Sequence, residues 1–137
     1  MKSKTTKLIM GTLLAVCATS SSANATDFSF SFDWGSIPRC HDGSPNTVSN
    51  PIFKFSGVPE GTKTIKMKMT DLDVPSFSHG GGDIPFSGEK MVSAGAFKYQ
   101  SPCPPDGTHT YEWSARALNA KGDLLSTAKS SQNYDGW

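Results

Sequence analysis

Thr64-Ile65-Lys66-Met67-Lys68-Met69-Thr70-Asp71-Leu72-Asp73-Val74-Pro75 is the stretch on which the fold turns. From Thr64 to Thr70, apolar and polar residues alternate without a break. Ile65, Met67 and Met69 therefore share one side and the lysines the other, the period of a strand with one buried face. The same alternation runs through residues 27–33, with Phe28, Phe30 and Phe32 in phase, and through residues 108–118. There Tyr111, Trp113, Ala115 and Ala117 oppose Glu112, Ser114, Arg116 and Leu118. Shorter strands are expected at 52–55, at 94–99, and at Ile84-Pro85-Phe86, an edge strand because proline cannot donate to a central ladder. Residues 38–51, 57–61 and 101–107 are rich in Gly, Pro and Asn and read as loops and turns. Residues 124–132 read as one or two helical turns. Many short strands punctuated by turns predict an all-β, Greek-key β-sandwich with little helix.

Upstream of the sandwich the character changes. Lys2, Lys4 and Lys7 precede the apolar run 8–18 and the small-residue site Ala23-Asn24-Ala25, the pattern of a secretory signal peptide over residues 1–25. The run is shorter than the roughly 20 residues of a transmembrane helix, so no transmembrane segment is expected. Cleavage near Ala25 leaves residues 26–137 as a single domain, periplasmic or secreted. Leu14-Ala15-Val16-Cys17 has the outline of a lipoprotein site, but a branched valine before the cysteine suits that processing poorly. The full chain of 137 residues carries 13 basic and 12 acidic side chains. Losing three lysines makes the mature chain net negative, which argues against nucleic acid as a partner. Two cysteines remain, Cys40 and Cys103. An even count in an oxidising compartment favours one disulfide, worth roughly 3–4 kcal/mol for a long loop. Two buried free thiols are the alternative.

Two segments concentrate polar groups that packing does not require. One is Asp71-x-Asp73-x-Pro75 with His79 shortly after it. The other is Pro104-Pro105-x-Gly107-x-His109-x-Tyr111, where a proline-stiffened turn delivers His109 and Tyr111 to one side of a strand. His41, His79 and His109 all flank this turn-rich material. Ring N–H groups of His79 and His109, the Tyr111 hydroxyl and glycine-loop amides make an anion pocket, with Asp71 orienting a histidine. Each residue also has a plainer reading: Asp71 and Asp73 as loop caps, His79 as an exposed loop residue, His109 and Tyr111 as packing. A metal site lacks tight ligand spacing, and a serine hydrolase lacks its nucleophile elbow.

Taken together, Ser56-Gly57-Val58-Pro59-Glu60-Gly61-Thr62-Lys63, the DxDxP of residues 71–75 and Pro102-Cys103-Pro104-Pro105-Asp106-Gly107-Thr108-His109-Thr110-Tyr111 resemble the phosphatidylethanolamine-binding protein family. Within it they are most like the bacterial Raf-kinase-inhibitor-like branch, as a short secreted member. Cys40-His41-Asp42-Gly43 and Ser49-Asn50-Pro51 resemble that branch's cysteine-containing N-terminal segment. The resemblance implies a small pocket for phosphate- or carboxylate-type anions at one end of the sandwich. Carried over residue by residue, Asp71, Asp73, Pro75, His79, Pro104, Pro105, His109 and Tyr111 are its ligand-binding set. No catalytic residue, metal or cofactor is expected.

The chain departs from the family pattern at several points. Thr110 stands where the family usually has arginine, which removes one basic group. Gly80-Gly81-Gly82 replaces an aromatic and β-branched strand and is expected to loosen one wall. Little sequence follows the last strand where longer members carry a C-terminal helical element, so a shallower, less selective pocket is expected. An immunoglobulin- or fibronectin-like interaction domain is the competing reading, and inhibition of a peptidase or kinase a weaker one. The sequence sets neither the natural ligand nor the oligomeric state.

Overall fold

The computed structural model describes residues 27–40 and 43–135. The leader with Cys17 and Ala25, and also His41 and Trp137, lie outside the described residues. Among those described, nine strands and no helix form: β1 (Ser29–Asp33), β2 (Thr47–Ser49), β3 (Ile52–Ser56), β4 (Thr64–Asp71), β5 (Ser78–Pro85), β6 (Met91–Val92), β7 (Lys98–Gln100), β8 (His109–Leu118) and β9 (Leu124–Tyr134). They pair antiparallel in a sheet of order β1-β3-β6, a ribbon β2-β7 and a four-stranded sheet of order β5-β4-β8-β9. After the β4-β5 pair the chain makes a long excursion and returns as β8 on the other side of β4. Such a non-sequential neighbour is typical of Greek-key connection.

The alternation predicted for β1, β4 and β8 is what builds the core. Phe30, Phe32, Phe53 and Phe55 line the inner side of one sheet; Ile65, Met67, Met69, Tyr111, Trp113 and Ala115 line the other. Phe53 meets Trp113 edge-on at 5.3 Å between ring centres, a geometry favoured by the ring quadrupoles. Tyr99 and Phe97 pack on the same indole. Cys40 and Cys103 form a disulfide with Cα atoms 5.9 Å apart, tying the segment before β2 to the turn before β8.

Several expectations need correction. Residues 124–132 belong to a strand, β9, which pairs with β8 from Leu118↔Leu124 to His109↔Tyr134. Over 124–132 its inward side chains are Ser126, Ala128, Ser130 and Gln132, too small and polar to mark a period of two, so the long open edge of β8 decides the structure. Leu118, placed outward by alternation, is buried where the register of β8 against β9 shifts. The glycine triplet does not loosen a wall. A Cβ on Gly81 would fall 1.9 Å from the Met67 carbonyl oxygen, and one on Gly82 would meet the Phe97 ring at 2.4 Å. Their missing side chains let β5 close against its neighbours and start at Ser78, well before the edge segment expected at Ile84-Pro85-Phe86. In the stretch 94–99 only Lys98 and Tyr99 belong to a strand, and β2 occupies part of the loop expected at 38–51.

Candidate functional site

The register of the four-stranded sheet creates the site. Asp71, the last residue of β4, lies opposite Tyr111 on β8, so the turn leaving β4 and the turn entering β8 are adjacent. Leu72 N–H donates to the Thr110 carbonyl at 2.8 Å. Asp71 is 4% exposed. Its Oδ1 accepts the N–H groups of Asp73 at 2.9 Å and Val74 at 3.2 Å, an Asx-turn that shapes the DxDxP segment. Its Oδ2 takes a 2.7 Å hydrogen bond from His109 Nδ1. Burial pushes the Asp71 carboxyl up, but the bonds from His109, Asp73 and Val74 outweigh it and hold it below the ordinary carboxylate range. Asp73 acts behind this pair: its Oδ2 accepts the Thr110 N–H at 2.7 Å. Thr110, in the place of the family's arginine, also bonds Asn133 on β9 through its hydroxyl.

His79 reaches the same place from β5. Its Nδ1 lies 2.9 Å from the Gln100 carbonyl oxygen. A carbonyl only accepts, so Nδ1 carries the proton. The ring sits edge-on to Tyr111 at 5.4 Å and to Phe77 at 4.7 Å. Burial lowers the His79 pKa from its ordinary value, against the opposing pull of the Gln100 carbonyl and Asp71. The ring is therefore neutral at pH 7, and its Nε2 is an acceptor rather than the expected donor. Tyr111 is fully buried beneath the two histidines. Its hydroxyl oxygen accepts the Cys103 N–H at 3.3 Å, and burial pushes its pKa up, so it remains a neutral phenol.

A cavity of about 160 Å³ opens between these groups. Asp71, His79, Pro105 and His109 of the expected set line it; Asp73, Pro75, Pro104 and Tyr111 do not. Pro75 is exposed and Pro104 buried; both shape turns. The rest of the wall, missed in the sequence, is Gly43, Pro45, Val74, Phe77 and Cys103. Val74 lies inside the DxDxP stretch and Phe77 just after it, so proximity to the motif was the available signal. Gly43 and Pro45 reach the wall because the disulfide holds their segment there. Neither histidine has a protein partner at Nε2 among the described residues. A larger hollow of about 590 Å³ lies beyond the other end of β4, between residues 55–63 and 86–90. Its charges, Glu60, Lys63, Glu89 and Lys90, are all exposed, and it holds no histidine. The buried ionisable side chains Asp71 and His79 line the smaller cavity.

Asp71, Asp73 and His109 offer ligand atoms within 4.8 Å of one another, the one group among the described residues that a metal ion would suit by proximity. Each of the three already serves a hydrogen bond, with Asp73 bound to the β8 backbone and His109 to Asp71. A cation would have to break the contacts that hold the two turns together.

A profile described as phosphatidylethanolamine-binding protein matches residues 28–135. Two solved structures share the fold. CT736 of Chlamydia trachomatis D/UW-3/CX, described as a phosphatidylethanolamine-binding protein homologue, is 20% identical with a TM-score of 0.55. That likeness covers 79% of this chain and 97% of the other. YbcL of E. coli, described as a member of the mammalian family, is 18% identical with a TM-score of 0.58, covering 80% and 99%. No curated protein matches. With the profile spanning most of its length, the chain belongs to the phosphatidylethanolamine-binding protein family.

Proposed function

We propose that this is a periplasmic or secreted binding protein, not an enzyme, that holds one small oxyanion of phosphate or carboxylate type between His109 and His79. The observation that carries the reading is the buried His109–Asp71 hydrogen bond, 2.7 Å long, at the wall of a small cavity. With Nδ1 held by the carboxylate, His109 presents Nε2 as its free ring nitrogen. In the protonated ring that nitrogen is a charged donor, the stronger kind of hydrogen bond for an anion. His79, neutral and offering an acceptor, complements it. A ligand with one anionic oxygen and one O–H, such as a hydrogen phosphate, satisfies both rings at once. The volume favours a small headgroup, since drug-sized sites run to about 300–1,000 Å³.

The cavity lining is short of side-chain nucleophiles. It contains no serine or threonine, and Cys103 is held in the disulfide. Family membership leaves the immunoglobulin-like alternative without support.

Titration with inorganic phosphate, followed by NMR through the histidine ring signals, tests the proposal. His79 and His109 are expected to respond together in the wild type, and the response to collapse in His109→Ala. A silent His79, or a variant that binds as well as the wild type, overturns it.

A further inference from the structure

The outer side of the four-stranded sheet, away from the pocket, carries an arrangement that packing does not explain. Lys66 on β4 lies directly opposite Arg116 on β8, and Lys68 opposite Ser114. Like charges facing each other across strands are destabilising. Lys66 is relieved by Asp83 at 3.2 Å, and on β9 Lys129 pairs with Glu112 at 3.1 Å. Arg116 and Lys68 have no acidic partner among the described residues. Beside them Gly80 on β5 has no side chain, and a trough of about 350 Å³ lies there, its wall completed by Gly81, Met67 and the Asp83 carboxylate that pairs with Lys66. The Ser114 hydroxyl faces it with only a long 3.4 Å bond to the Lys68 carbonyl.

We propose that this trough is a second anion site, for a phosphate or sulfate group. Arg116 binds it in a forked geometry, Lys68 supplies a second charge and Ser114 a hydroxyl. The bound group screens the repulsion between Lys66 and Arg116. The site is independent of the histidine pocket: it uses the opposite side of β4 and β8. Its ligand is either a free oxyanion or an ester carried on a polymer.

The test is isothermal titration of the full chain at low ionic strength, with inorganic pyrophosphate in one arm and dextran sulfate in the other, uncharged dextran being the control. Pyrophosphate binding is expected to weaken roughly fivefold or more in Arg116→Gln and in Lys68→Gln, and to keep a component that survives in His109→Ala. Much tighter binding of dextran sulfate through the same residues identifies a polymer-borne ester; equal binding identifies a free anion. Arg116→Gln should also raise the melting temperature in the absence of ligand, because a like-charge pair is removed. Affinity unchanged in Arg116→Gln and Lys68→Gln, binding abolished by His109→Ala alone, or a variant that melts lower would each overturn the site.

Discussion

Asp71 joins two distant parts of the chain through its two oxygens: Oδ1 shapes the turn leaving β4, and Oδ2 holds the first side chain of β8. Asp71→Asn keeps an oxygen for the turn but loses the charge facing His109. It should cost about 1.5–3 kcal/mol by urea denaturation, the range for hydrogen bonds to charged groups, and weaken phosphate binding. His79 sets the response to pH. Its folded pKa lies below the ordinary value of 6.5, so the unfolded chain takes the proton first. The stability owed to neutral His79 is complete above that value and is lost as pH falls below it. Asp71, also depressed, adds a second loss below its ordinary 3.8. Urea midpoints between about pH 7 and 5 should fall in the wild type and be flatter in His79→Phe; equal slopes would contradict the assignment. At this scale the two motif segments stood out because they concentrate polar groups that packing does not require. The acceptor role of His79 was not legible, because it depends on the Gln100 carbonyl, which the fold brings in from another strand.

Among the elements, β5 shows how much backbone proximity matters. At Gly81 a Cβ would run into the β4 main chain, so no side chain fits there. Gly81→Ala should cost at least about 2 kcal/mol, because the clash is with main-chain atoms rather than a movable side chain. Thermal unfolding measures this, and a loss under about 0.5 kcal/mol, the range of an ordinary surface change, would contradict it. The disulfide spans 63 residues, a loop for which chain entropy gives about 4 kcal/mol. Its reduction should lower stability by about that much and also weaken phosphate binding, because Cys103, Gly43 and Pro45 are cavity wall. Denaturation with and without reductant checks the first, and titration of the reduced protein the second. Strands β1, β4 and β8 were readable from alternating large apolar residues. Strand β9 and the glycine half of β5 were not, since a strand whose inward residues are serine, alanine or glycine is recognised by its partner rather than by its own pattern.

For the whole molecule, the sandwich serves to bring together turns far apart in sequence. The pairing of β4 with β8 juxtaposes them, β5 adds His79, and the disulfide closes the remaining side. Fold class and disulfide were both legible, the first from periodicity and the second from cysteine parity. The cavity itself was only partly so, because half of its wall is apolar side chains and glycine from loops, whose convergence no local pattern encodes. The central claim is that one neutral acceptor histidine and one carboxylate-held histidine share a cavity and grip an oxyanion between them. The most direct measurement is the imidazole nitrogen NMR spectrum of the full chain at neutral pH, before and after saturation with inorganic phosphate. The account predicts His79 as the neutral tautomer protonated at Nδ1 in both states, and a His109 Nε2 signal that moves once phosphate is bound. A His79 that becomes charged, or a His109 whose Nε2 signal ignores phosphate, would contradict it.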